Sequence, residues 1–148
     1  DYNFVFTGPE DDGFRQHRIH SLKNAYFTGQ KKVDELPAYI TAYDVCINPQ
    51  MVNDITDGNY PLKIDEYLAM GKPTVATSTH TMRNIFADHT HLATNLGEWL
   101  SAIDRAVTEA DDKELAKQRI AFAETHSWGH SVKKIYGIID NFLKEKAT

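Results

Sequence analysis

An α/β fold, a mainly parallel sheet covered by helices on both faces, is predicted by three features of the sequence. Short β-branched and aromatic runs alternate with helical stretches along the whole chain. The first three runs each stop at a turn signal, Gly8–Pro9, Gly29 and Asn48–Pro49. The fourth, Thr74 to Thr77 (TVAT), follows a helical stretch that ends at Gly71 and is kept from restarting by Pro73.

The elements follow in order. Asn3 to Thr7 (NFVFT) reads as a buried strand, and Phe14 to Leu22 as a weak helix after the acidic Glu10 to Asp12. Ala25 to Thr28 (AYFT) is a second strand. Val33, Leu36, Ile40 and Tyr43 fall at helical spacing, with Pro37 placing the true start near Leu36. Asp44 to Ile47 (DVCI) is a third strand, holding Cys46 as a small core residue. Gln50 to Tyr60 is a polar loop of about a dozen residues, a length uncommon in a compact domain unless it has a task. A helix opening at Pro61 carries Leu62, Ile64, Leu68 and Met70 on an apolar side. Met82 to Phe86 begins another helix, and His91 to Ala93 is a short fifth strand. Leu96, Leu100, Ile103 and Val107 mark a helical stripe over residues 96–110. Asp111–Asp112 cap a helix from Lys113 to about Glu124. Ser127 to Lys146 is the last helix, with Trp128 expected to pack it back onto the domain.

The 148 residues suit one domain. A formal net charge of −5 argues against a nucleic-acid partner, which calls for a basic footprint. One cysteine excludes an internal disulfide and suits a reducing compartment. No apolar run approaches the ~20 residues that cross a bilayer. The N-terminus has no basic region and no small-residue cleavage site, so it is not a signal peptide. It also lacks a starting Met and enters a strand almost at once, so the chain is expected to be truncated at its N-terminus. A cytoplasmic protein is expected.

In parallel sheets, ligands settle in the crevice at the carboxyl ends of the strands. Those ends here are Thr7–Gly8–Pro9, Thr28–Gly29–Gln30, Asn48–Pro49–Gln50 and Thr77–Ser78–Thr79. The long loop and the helix after it emerge at the same edge. A loop feeding a helix N-terminus can hold phosphate through backbone N–H groups and the helix dipole. Lys63 and Glu66, three apart, could grip a phosphate oxygen and a sugar hydroxyl. They equally suit a solvated pair worth a few tenths of a kcal/mol. Seven histidines are present, but nothing brings three or four together as a zinc site requires, so no metal site is expected. A phospho-receiver domain needs an aspartate at the end of the third strand, where Asn48 stands.

The segments FVFTGP, YFTGQKKVDELPAYITAYDVCINP, PLKIDEYLAMGKPTVAT and HSW occur in this order in another group of proteins. On them the chain resembles the C-terminal, donor-binding half of GT-B-fold glycosyltransferases, in their retaining, family-4-like branch. PLKxxEYLAxGKPxVAT is the specific signature. The resemblance implies a Rossmann-like three-layer α/β/α domain, one half of a GT-B fold, with C-terminal helices packed outside. It implies a UDP-, GDP- or ADP-linked sugar as donor substrate, no other cofactor, and a hexosyl transfer in polysaccharide synthesis. Glu66 matches the glutamate that bonds the donor ribose hydroxyls. Gly58, Asn59, Tyr60, Pro61 and Leu62 match the loop that meets the diphosphate and the sugar, and Lys63 adds charge there. Gly29–Gln30 matches the turn beside the base, and Gly8 the first strand end.

The chain also departs from that pattern. Gly58 stands where many relatives place a second, sugar-contacting glutamate, so that role passes to Asp54. Tyr60 stands where the subgroup often has Asn. The basic pair that relatives use to neutralise the diphosphate has no counterpart here, nor has the N-terminal acceptor domain, so the isolated chain is expected not to transfer sugar, and its catalytic residues are unassigned. Membrane association, at the inner face, is expected only as a peripheral property of the full-length protein. A GT-B-like module without catalysis and a nucleotide-sugar epimerase are the competing readings.

Overall fold

A computed structural model describes residues 2–146. The chain divides between Tyr39 and Ile40 into two compact units.

In the first unit, β1 (Phe4–Thr7) pairs in parallel with β2 (Ala25–Gly29). The connection holds α1 (Asp12–Arg15) and a 3-10 turn at Arg18–Ser21, in place of the single weak helix expected there. Asp11 starts α1 by accepting the Phe14 N–H at 2.7 Å. Two short turns form because the next acceptor, His17, recaps the backbone at Ile19. Phe6 stacks on Phe27 at 5.0 Å between centroids, and Phe14 closes on both. α2 (Leu36–Ala42), which runs across the division at Tyr39, begins at Leu36, as Pro37 requires of a helix it enters in the first turn. Val33 stays outside it, 82% exposed.

In the second unit, β3 (Cys46–Asn48), β4 (Thr74–Thr77) and β5 (His91–Ala93) form a parallel sheet in that order. β4 is central and all four of its residues are buried, as a strand covered on both faces must be. Alternate residues serve opposite layers. Ala76 faces Ile64 and Leu68 of α3 (Leu62–Ala69), Ala123 of α5 (Lys113–Glu124), and Met82 and Phe86 of a π-helical turn. Val75 faces Ala102 and Ala106 of α4 (Leu96–Thr108). Helices on both faces of the parallel sheet make this unit a Rossmann-like three-layer α/β/α arrangement. Hydrogen bonding places the five strands in two parallel sheets, β1-β2 and β3-β4-β5, rather than in the one sheet expected.

The helix ends follow their cap residues. Asp112 accepts the Glu114 and Leu115 N–H groups at 2.9 Å and starts α5. Gly71, at φ +72°, ends α3, with its N–H on the Leu68 carbonyl and the Lys72 N–H on the Tyr67 carbonyl. That compact ending lets α5 approach closely: a Cβ at Gly71 would lie 3.1 Å from the Ala116 Cβ.

Several apolar positions lie elsewhere than the spacing implies. Leu62 is 68% exposed, because two residues before Ile64 is the far side of the helix. Pro61 is the N-cap of α3 rather than its first helical residue. On α4 the sheet-facing residues are Ala102 and Ala106, with Trp99 and Ile103 beside them, while Leu96 and Leu100 are exposed. Small side chains let that helix sit close, so its seam is marked by alanines rather than leucines. α6 (Trp128–Lys146) buries none of its residues, and Trp128 is 87% exposed rather than packed back. No described helix is long and apolar enough to cross a membrane.

Candidate functional site

The loop between β3 and α3 is fastened to the carboxyl end of β4. The Gln50 N–H donates to Thr77 Oγ1 at 2.8 Å. Asp57 Oδ1 accepts the His80 N–H at 2.6 Å, and the Asp57 carbonyl accepts the Thr81 N–H at 3.3 Å. Within the loop, Asn53 Oδ1 accepts the Ile55 and Thr56 N–H groups at 3.0 Å, a local turn of the kind Asn favours. These bonds hold open a cleft of about 520 Å³ lined by Val52, Asn53, Asp54, Asp57, Gly58 and His80. Asp54 and Gly58, twelve and eight positions before Glu66, thus face one space. His80 joins them, its Nε2 held 2.8 Å from Asn84 Nδ2.

α3 leaves this loop directly. Gly58, Asn59, Lys63 and Glu66 are exposed. None of the ion pairs among the described residues involves Lys63 or Glu66, so their spacing does not close a pair. The Glu66 carboxylate can accept hydroxyl hydrogens, and Lys63 can meet an anion. The Leu62 and Ile64 N–H groups turn back to the Tyr60 and Pro61 carbonyls at 3.2 and 2.9 Å. They are therefore engaged in this conformation rather than open, as the sequence implies for a helix start.

The next residue of α3 makes contacts that spacing does not reveal. Asp65 Oδ2 accepts the Tyr60 hydroxyl at 2.6 Å, and Asp65 Oδ1 lies 2.8 Å from His126 Nδ1. Partial burial, then the bond to Asp65 and the charge of that carboxylate, push the Tyr60 phenol above its ordinary range. The rings of Tyr60 and Phe86 lie 5.6 Å apart, and those of Phe86 and His126 5.7 Å. His126 is the histidine of HSW, and its distance in sequence from Asp65 leaves no local signal of the contact. Asp57 is likewise a pin that no periodicity marks.

Gly8, Gly29 and Gln30 belong to the first unit. The Gly8 N–H donates to the Gly29 carbonyl at 3.1 Å, bringing both glycines together at the strand ends. Gly29 takes φ +69°, a conformation glycine permits. Gln30 is exposed.

A second cleft, of about 420 Å³, opens at the amino end of β5, away from the carboxyl ends of β3 and β4. His89, His91, Arg105, Gln118 and Arg119 line part of it. Arg119 is buried against Glu109, whose other oxygen is 3.0 Å from His91 Nε2. Burial favours loss of the Arg119 proton and Glu109 opposes that. Among the described residues, no three His, Cys, Asp or Glu side chains are grouped to hold a metal ion.

A layered α/β unit with a loop-and-helix cleft at the carboxyl ends of its strands has the architecture of a parallel α/β domain whose ligand crevice lies at that edge. The particular family follows from sequence comparison: the profile described as "Glycosyl transferases group 1" matches residues 1–120, and the chain belongs to that family. Among curated proteins it is similar to the "Putative teichuronic acid biosynthesis glycosyltransferase TuaH" of Bacillus subtilis (strain 168). The identity is 26% over 142 residues, covering 91% of this chain and 35% of the relative. The chain therefore spans about a third of the length of that relative.

Proposed function

We propose that this chain is the donor-binding half of a two-domain glycosyltransferase that takes a hexosyl group from a nucleoside-diphosphate sugar, with retention and without a metal. The family membership supports sugar transfer. The 35% coverage of the relative is consistent with an acceptor-binding domain elsewhere in the full-length protein. One observation carries the assignment of the site. The loop tied to the end of β4 by Asp57 leads straight into a helix that presents Lys63 and Glu66 uncommitted to any ion pair.

In this reading Glu66 accepts from two ribose hydroxyls and so fixes the nucleoside. The diphosphate lies over the start of α3. Sugar transfer breaks the anomeric C–O bond, and negative charge grows on the departing diphosphate. Lys63 and the positive end of the α3 dipole stabilise that charge as it forms. Asp54, on the cleft wall beside Gly58, contacts the donor sugar. Residues that orient the acceptor come from the other domain, so the isolated chain binds donor and does not turn it over. A role in polysaccharide synthesis is in keeping with the name of the relative.

A calorimetric screen of the full-length protein against UDP-, GDP- and ADP-sugars, repeated with Glu66→Ala, tests this. The substitution is expected to cost about 1–3 kcal/mol of binding from the lost hydroxyl contacts. Unchanged affinity in a folded Glu66→Ala protein removes Glu66 from the site. Binding without turnover by the full-length protein favours the non-catalytic reading, and interconversion of two nucleotide sugars favours the epimerase.

A further inference from the structure

We propose that Tyr60, Asp65 and His126 act together as positioning residues for the donor loop, with Asp65 as the clamp. This rests on the donor-site reading above and assigns a task to two side chains that reading leaves idle. Three observations lead to it. First, Tyr60 stands within the segment proposed to meet the diphosphate, between Asn59 and Pro61. Its hydroxyl is committed to Asp65 at 2.6 Å, and Tyr60 is not among the residues that line the cleft. Second, Asp65 is fixed from the other side by His126 Nδ1 at 2.8 Å, and it is the less exposed of that pair, at 19% against 23%. Third, His126 is itself held in place. Phe86 lies edge-on at 5.7 Å and Phe122 edge-on at 4.6 Å. Phe86 is fully buried in the core between α3 and α5.

The loop gains a third fastening as a result. Gln50 ties its start to β4 and Asp57 ties it to the segment just after β4, while Tyr60 ties its last turn to the body of the domain through Asp65. A loop otherwise made of exposed residues gains a preset course into α3. Pre-setting lowers the ordering cost of binding, and that cost is returned as affinity for the ligand the loop encloses. Lys63 and Glu66 flank Asp65 in the same helical turns, so the clamp sets their register against the loop as well. The three side chains touch neither sugar nor phosphate in this arrangement. Their effect passes through the loop.

The test is a titration of the full-length protein with UDP, GDP and ADP, alongside thermal unfolding and steady-state kinetics with the matching nucleotide sugar. Tyr60→Phe keeps the ring against Phe86 and removes only the hydroxyl. It is expected to weaken nucleotide binding about tenfold, the worth of one hydrogen bond to a charged group. KM for the donor should rise while kcat falls by less, a split that a merely structural role does not produce. Asp65→Ala should match or exceed that loss. Asp65→Asn, which still offers an oxygen to Tyr60 and can offer an N–H to neutral His126, should recover most of it. The loss from Tyr60→Phe should shrink in an Asp65→Ala background, because both act on one contact. Nucleotide binding by Tyr60→Phe equal to the parent, or Asp65→Asn no better than Asp65→Ala, overturns the clamp. In those cases a weakened Glu66→Ala protein leaves the donor site itself standing. A parent that binds none of the three nucleotides overturns both.

Discussion

Asp57 and His80 are joined by a 2.6 Å hydrogen bond, from the His80 backbone N–H to the Asp57 carboxylate, across 23 positions of sequence. The bond ties the long loop between β3 and α3 to the segment just after β4. Asp57→Ala is expected to lower stability by about 1–2 kcal/mol, as the loss of a charge-assisted bond should. It should also weaken nucleotide binding, because the cleft wall carrying Asp54 and Gly58 is no longer held. Asp57→Asn keeps an acceptor oxygen and should retain most of both. Urea unfolding and titration of the two variants check this, and equal behaviour of Ala and Asn contradicts it.

Gly71 and Gly29 share nearly the same positive φ but not the same surroundings. Gly71 has φ +72° with the Ala116 Cβ 3.1 Å from where its own Cβ would stand. Gly29 has φ +69° and open space. Replacing Gly29 by Ala should cost about 1–2 kcal/mol, the left-handed backbone term alone. Gly71→Ala should cost more, because α5 must also move off α3. Denaturant midpoints of the two variants give the comparison.

Glu109 sits between Arg119 and His91. Removing it leaves Arg119, 5% exposed, without its hydrogen-bonded carboxylate, with only the more distant charge of Asp112 to offset its own. Glu109→Ala is expected to destabilise the protein by about 1–3 kcal/mol, less than a fully buried pair would cost because Glu109 is partly exposed. Restoring most of the loss by a second change, Arg119→Met, would identify the uncompensated charge as the cause.

Alkaline pH should expose two groups whose protons the fold retains. Burial raises the Cys46 thiol from 9.0 to about 12, with Lys72 opposing, and burial raises the Tyr67 phenol from 10.0 to about 12. A raised folded value means stability that is fully present below the unfolded value and lost as pH climbs through the folded one. The protein should therefore lose stability from about pH 9 to pH 12, and Cys46→Ala and Tyr67→Phe should each flatten that fall. At neutral pH the native thiol should resist iodoacetamide, since the thiolate is the reactive form.

The first three strands were legible because each is a short β-branched or aromatic run stopped by glycine, proline or asparagine, and the fourth because it is a β-branched run that follows Gly71 and Pro73. Thr74–Thr77 and His91–Ala93 stand where the sequence places them. α5 was legible from its cap, since Asp112 announces the start that the structure shows. Faces were less so. Alanines at 102 and 106 carry no hydrophobic signal stronger than the leucines nearby, yet close packing selects them. Trp128 and the apolar residues of α6 read as a packed stripe, but burial depends on what lies opposite, which one helix's periodicity does not record. At the site, Lys63, Glu66 and the loop stood out by motif and length. Asp57 and the Asp65–His126 contact did not, because they join residues 23 and 61 positions apart.

The central claim is that a nucleotide sugar occupies the carboxyl edge of β3 and β4, between the loop and α3. Amide chemical-shift mapping of the protein during titration with UDP, GDP or ADP tests it most directly. The expected result is movement of the Gly58, Asn59, Lys63, Glu66 and His80 amides with one nucleotide, saturating together. Movement confined to His89, His91, Arg105 and Gln118 at the amino end of β5, or none with any of the three, contradicts it.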